Sequence, residues 1–208
     1  DQRWLVRARG AGELTAQAVL DQGPNPPAAR TVAGTNWQWI AFPQPAFPGQ
    51  QSNHLALTRG AGVEVDYVLY TAGAWDPPAP GGRLTLPAAC FFHAGSTDLK
   101  TGGVSLHVGR DRPGLQLYGP KLPLEPGRYR VEVEFSSSSP PGTALGWWYV
   151  TCPEGQERAK IEITSGGALD APFELDTNLP LLCVLVFHGR GDLLIRAVHL
   201  TRLAEPSP

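Results

Sequence analysis

Apolar and polar residues alternate along this chain in short runs rich in Val, Leu, Tyr, Trp and Phe, and Gly or Pro closes nearly every run. A period of two is the signature of a strand with one buried face, and no stretch holds the 3.6-residue period of a helix. The clearest case is 128–135, where Tyr129, Val131, Val133 and Phe135 share one face and Arg128, Arg130, Glu132 and Glu134 the other. That pattern predicts an antiparallel strand with one wet side. By contrast, 181–187 is apolar at every position and predicts a central strand.

The same reading places strands at 4–9, 13–20, 36–42, 54–59 and 63–71, and then at 83–93, 103–108, 115–118, 127–136, 144–152, 158–164, 173–175, 181–188 and 193–203. Arg-Gly-Ala-Gly occurs at 9–12 and again at 59–62. Both copies fall between strands and are read as turns, the second closing a hairpin, because glycine supplies the positive φ that tight turns need. Asp76-Pro77-Pro78-Ala79-Pro80-Gly81-Gly82 cannot continue a central strand and marks a linker. The expected organisation is all-β, with two packed antiparallel β-sandwich, jelly-roll-like units. A first sandwich, incomplete as it stands, covers 1–75, a linker 76–82, a second sandwich 83–203 and a frayed tail 204–208.

Composition narrows the function classes. With 24 Gly and 21 Pro the chain could read as disordered, but 42% hydrophobic content supports a core, so the breakers belong to turns and edges. Charged residues are 17% and the net charge is −2, with no run of one sign, which argues against nucleic acid or an anionic membrane as partner. No apolar run reaches the roughly 20 residues of a membrane span. The chain opens at Asp1 and contains no Met, which reads as a processed or trimmed end. Of three cysteines, Cys90 and Cys183 sit in apolar, strand-like settings, and with Cys152 they leave at least one thiol unpaired.

Trp4-Leu5-Val6-Arg7-Ala8-Arg9, Asn36-Trp37-Gln38-Trp39-Ile40, His54-Leu55-Ala56-Leu57 and Val63-Glu64-Val65-Asp66-Tyr67-Val68-Leu69 follow one another in an informative order. They resemble the later strands of jelly-roll carbohydrate-binding modules of the galactose-binding-like type, over about residues 3–72. Leu117-Tyr118-Gly119-Pro120 with Leu124-Glu125-Pro126-Gly127-Arg128-Tyr129-Arg130 resembles β-sandwich domains appended to bacterial glycan-processing enzymes. The first resemblance implies an earlier strand that shares a structural calcium with the residue in the position of Asp66. That strand would come from the second half or from a partner, or the calcium site would be absent. Read from its own surroundings, Asp66 is a strand-end polar group bonded to backbone.

Sugar recognition needs flat apolar rings against which pyranoside C–H faces stack, with polar groups for the hydroxyls. The candidates are Trp37 and Trp39, two apart on one strand, Trp75 beside the linker, and the consecutive Trp147, Trp148 and Tyr149. In an extended segment Trp148 must face away from Trp147 and Tyr149, so one side of the pair points out of the core. Arg190-Gly191-Asp192 has the form of an adhesion tripeptide but sits where a hairpin turn belongs. His54, His93, His107, His188 and His199 lie singly, without zinc-site spacing. No nucleophile elbow, phosphate loop, zinc-protease motif or dinucleotide fingerprint is present, and Glu132 and Glu134 lie on a wet face. The expectation is a non-catalytic carbohydrate-binding module outside the cytoplasm, without a cofactor apart from calcium at Asp66. The alternative is a structural subunit of an extracytoplasmic or membrane-associated assembly, joined to a protein partner by strand complementation.

Overall fold

The computed structural model describes residues 3–20, 23–43, 53–71, 76–153 and 156–204, whose regular structure is almost wholly antiparallel strand. It is the all-β architecture that the alternation predicts. The chain divides into two compact units, Asp1–Asp76 and Pro77–Pro208. Gly81 donates to Arg202 O (2.8 Å) and Gly82 accepts from Arg202 N (2.9 Å), so the end of the Pro/Gly stretch is fastened to the last strand of the second unit.

The first unit contains β1 (Arg3–Leu20), β2 (Gly23–Pro24), β3 (Ala28–Pro43), β4 (Asn53–Arg59) and β5 (Val63–Thr71). Two expectations are corrected here. The segments 4–9 and 13–20 are one long strand, β1, and β4 and β5 do not form a hairpin. Instead β4 pairs with the second half of β1 and β5 with the first half, both antiparallel to it, while β3 lines the opposite edge.

The glycines explain the difference. The two Arg-Gly-Ala-Gly copies lie against each other: Ala11 donates to Gly62 O (3.0 Å) and Gly60 to Glu13 O (2.8 Å). Gly10 has φ +106° and pairs across β3 with Gly34, at φ +116°. A Cβ on Gly10 would collide with the Gly62 carbonyl, and one on Gly62 with that of Ala11. The glycines therefore allow close backbone approach and a register shift rather than a reversal of direction. The sheet folds back at this level. Arg30 and Phe42, twelve residues apart on β3, come within 5.8 Å (guanidinium to ring centroid). One core, including Val6, Leu14, Val32, Phe42 and Val63, lies between the two halves.

The second unit is a two-sheet sandwich. Its strands are β6 (Arg83–Pro87), β7 (Phe92–His93), β8 (Ser96–Asp98), β9 (Gly103–Leu106), β10 (Gly114–Leu122) and β11 (Gly127–Ser136), followed by β12 (Ala144–Cys152), β13 (Gln156–Thr164), β14 (Leu169–Leu175), β15 (Leu181–Phe187) and β16 (Leu193–Arg202). One sheet has the order β13-β12-β15-β10-β7; the other runs β14-β11-β16-β9-β8, with β6 also on β16. The wholly apolar β15 is central, as its sequence predicts. Tyr129, Val131 and Val133 of β11 face inward, and the Tyr129 hydroxyl donates to Glu125 O (2.7 Å), pinning the Pro126-Gly127 turn. Each large apolar side chain sealed here contributes about 1.5–3 kcal/mol.

All three cysteines are free. Cys152 and Cys183 are buried, and burial pushes the Cys183 thiol up to about 12, so it stays protonated. Cys90 is exposed at the end of a 3-10 turn, Ala88–Cys90, and not in the apolar strand expected for it. Among the described residues no helix is long and apolar enough to cross a membrane.

Three carboxylates, exposed at Asp98, half-buried at Asp192 and largely covered at Asp111, fasten the loops beside β9. Asp98 accepts from Lys100 N (2.9 Å) and Thr101 Oγ1 (2.8 Å). Asp111 accepts from the Arg110 guanidinium (2.6 Å) and His107 N (2.7 Å), and Asp192 from Val108 N (2.9 Å). Asp192 also lies 3.2 Å from His107 Nδ1, so the carboxylate of the Arg-Gly-Asp tripeptide is engaged within the fold. These contacts hold all three below the ordinary carboxylate range.

Two predictions follow from this architecture. Gly10→Ala should destabilise the first unit by about 2–4 kcal/mol in denaturant unfolding, since it adds a collision to backbone strain. Gly34→Ala, whose Cβ would meet nothing within 4 Å, should cost only about 1 kcal/mol from its positive φ. For the three carboxylates, the lowered values mean that their stabilisation is complete above the ordinary range and lost as pH falls through them. The amide protons of Lys100, His107 and Val108 should therefore lose exchange protection below about pH 4 while those of β15 keep it.

Candidate functional site

In β12 the pleat alternates around Trp148. Leu145, Trp148, Val150 and Cys152 point into the core, and Trp147, Tyr149 and Thr151 point outward. Trp148 is 0% exposed and meets Phe91 edge-on (6.4 Å between centroids). It is a core residue, which removes it from the expected ligand contacts. The same parity that seals Trp148 delivers Trp147 and Tyr149 to the outer face.

Cross-strand register extends that face. Trp147 stands opposite Val186 of β15, which stands opposite Leu115 of β10. In the next row Tyr149 is opposite Val184, Val184 opposite Tyr118, and Tyr118 opposite Phe92 of β7. Phe92 and Tyr118 stack (5.1 Å, 19° between planes) and are 66% and 45% exposed, and Leu115 is 55% exposed. A cavity of about 340 Å³ lies at this end, lined by Phe92, His93, Ala94, Leu115, Gln116 and Tyr118. At the opposite edge, Lys160 of β13 puts its ammonium 4.5 Å from the Trp147 ring centroid and 5.4 Å from that of Tyr149. His188 meets Trp147 edge-on at 6.3 Å. Aromatic and apolar side chains thus cross four strands of one outer sheet face, β12, β15, β10 and β7, and β13 adds Lys160 at the edge.

The outer face of the other sheet is ionic. Arg83 pairs with Glu132 (3.1 Å), Arg130 with Asp170 (3.4 Å), and Arg196 and His199 approach Glu134 (3.9 and 4.0 Å). Glu132 and Glu134 are therefore members of an exposed charge lattice, as their alternation predicts, and face away from the rings.

The remaining candidates separate. Trp37 of β3 is covered by two cations, the Arg7 guanidinium at 4.7 Å and that of Arg9 at 4.6 Å from its centroid. Trp39 sits beside it on the same strand face, in register with Arg7. Both belong to the first unit and are not joined to Trp147 and Tyr149 by any element of the second unit's sheet. Trp75 lies outside the described residues. Asp66 is ion-paired to Arg7, whose side chain is 4% exposed. A buried guanidinium occupies the charge a calcium ion would neutralise, and no group of three His, Cys, Asp or Glu among the described residues could hold a metal. Phe92, Leu115, Tyr118 and Lys160 were not singled out by the sequence reading. Their outward parity is visible in their strands, whereas their adjacency depends on sheet order.

No protein-family model matches the chain, and no curated protein matches its sequence. Its fold is similar to several solved carbohydrate-binding modules. The C-terminal family 6 module of the laminarinase LamC from Zobellia galactanivorans is 13% identical, with 58% of this chain and 100% of that chain covered, at TM-score 0.44. The tandem family 22 modules of a Paenibacillus barcinonensis xylanase are 10% identical, with 98% and 79% covered, at TM-score 0.31. The family 22 and catalytic modules of a Clostridium thermocellum endo-1,4-β-D-xylanase are 14% identical, with 62% and 27% covered, at TM-score 0.35.

The opposite settings of the adjacent tryptophans give a direct test. Trp148→Ala should lower stability by about 3–5 kcal/mol in thermal or denaturant unfolding. Trp147→Ala should cost less than about 1 kcal/mol, the loss of an outward ring and its lysine contact.

Proposed function

We propose that the second unit is a non-catalytic carbohydrate-binding module that takes a glycan chain across the outer face of the sheet β13-β12-β15-β10-β7. The observation that carries this reading is the set of outward rings on one sheet face, Trp147 and Tyr149 on β12, Tyr118 on β10 and Phe92 on β7, with Val184 and Val186 of β15 between them, all on strands rather than on loops. With strands about 4.8 Å apart, Phe92 and Tyr118 stand one strand apart and Tyr118 and Tyr149 two, so the rings span about 15 Å of the face. Rings on a hydrogen-bonded sheet are also pre-positioned, so little conformational entropy is lost on binding. Polar groups that could bond sugar hydroxyls border the rings: Lys160, His188 and Thr151 toward one side, His93 at the cavity. A face open along its length suits a polymer, which supports placing the protein outside the cytoplasm, where polymeric glycans are met. The paired charges of the opposite sheet support a role without hydrolysis, since the carboxylates Glu132 and Glu134 are remote from the rings and held by basic partners.

A second reading is a structural subunit that offers this face to a protein partner. It is favoured by Leu115, an apolar side chain that is exposed beside the rings and has no part in stacking a sugar.

Retardation in native gels containing soluble polysaccharides, with tryptophan emission as a second readout, distinguishes the two. Under the carbohydrate reading at least one polysaccharide retards the protein and shifts its emission to the blue. Trp147→Ala or Tyr118→Ala then weakens binding about tenfold, or about 1.4 kcal/mol, while Trp37→Ala does not. Absence of retardation by every polysaccharide, with oligomers growing in light scattering as concentration rises, would support the subunit reading instead.

A further inference from the structure

We infer that the glycan taken by this face is anionic and that Lys160 selects it; the inference rests on the carbohydrate reading above. The ammonium of Lys160 lies over the Trp147 and Tyr149 rings, on the ground a stacking sugar would occupy. Among the described residues it has no carboxylate partner. Glu157 and Glu162 share its strand and neither is ion-paired to it, while the nearby Arg158 is committed to Asp176 at 2.6 Å. The ring face is thus already covered by a cation that an incoming ligand must displace or engage.

These two alternatives have opposite consequences. A neutral sugar gains a ring and loses the cation–π contact beneath it. A sugar carrying a carboxylate or sulfate keeps the ammonium, exchanging a ring face for an anion, and its own C–H face still meets the aromatic surface. Glu162, opposite Trp147 in register, repels an anion from that end, and Glu157, opposite Thr151, from the other. The position favoured for the anion is therefore beside Tyr149, the residue in register with Lys160. His188 at the edge of Trp147 and His93 beside Phe92 also border the rings, and neither side chain carries a negative charge.

The shared chemistry is a fixed negative charge on the sugar, and two matched pairs of polymers separate its sources. Polygalacturonate is compared with its methyl ester, and dextran sulfate with dextran, each by gel retardation at about 20 mM and about 500 mM salt. Binding about three- to fivefold tighter for a charged member at low salt, vanishing at high salt and in Lys160→Gln, supports the inference. Preference within the first pair identifies a uronate and within the second a sulfated glycan. Equal binding of charged and uncharged members, or a preference that survives Lys160→Gln, overturns the anionic selection and leaves carbohydrate binding in place. If no polymer of either kind binds and the broader panel is also silent, the carbohydrate reading fails together with it.

Discussion

A pleated strand must send successive side chains to opposite sides, and the functional face of this protein depends on that constraint. Trp147, Trp148 and Tyr149 are consecutive, so placing the middle ring in the core leaves its neighbours no direction except outward. Trp148 is held inside by Phe91 and by the hydrophobic gain of full burial. The position of the exposed rings is thereby fixed by the same interaction that stabilises the sandwich. Phe91, which caps the 3-10 turn, and Phe92, which opens β7, repeat the arrangement at the far edge, one ring in and one out.

The two sheets of the second unit then divide the chemistry. The face built on β11 and β16 satisfies its charges by pairing them, and exposed pairs of this kind contribute little stability but keep the surface soluble. The face built on β12, β15 and β10 leaves apolar rings in water and has Lys160 as a charge reaching over them. Leaving that much aromatic surface hydrated gives up stabilisation that burial would have supplied, which is understandable where the surface has a ligand.

Most of the strand pattern of the second unit was readable in advance, because alternation in 127–136 and unbroken apolarity in 181–187 each have a single structural solution in an antiparallel sandwich. The parity of the Trp-Trp-Tyr run was also legible, although which ring lay inside was not, since both tryptophans satisfy the pattern. Adjacency of the Phe92–Tyr118 pair to the Tyr149–Lys160 pair was out of reach: β10 and β12 are brought together only by β15, which comes last of these strands in the chain. The Arg-Gly-Ala-Gly copies misled for a related reason. Glycine permits both a reversal and a bulge, and what lies opposite decides between them. Asp66 read as a strand-end polar group bonded to backbone, whereas its partner is Arg7, a cation buried in mid-strand that no periodicity announces.

The facing glycine tetrapeptides also bear on how the first unit could change over time. Each copy's carbonyls fill the room where the other would carry a methyl group, so the two stretches are sterically a single object written twice in the chain. Neither can drift by itself toward larger residues, and a duplication or exchange that moved one copy without the other would leave the fold line with only half of its crease.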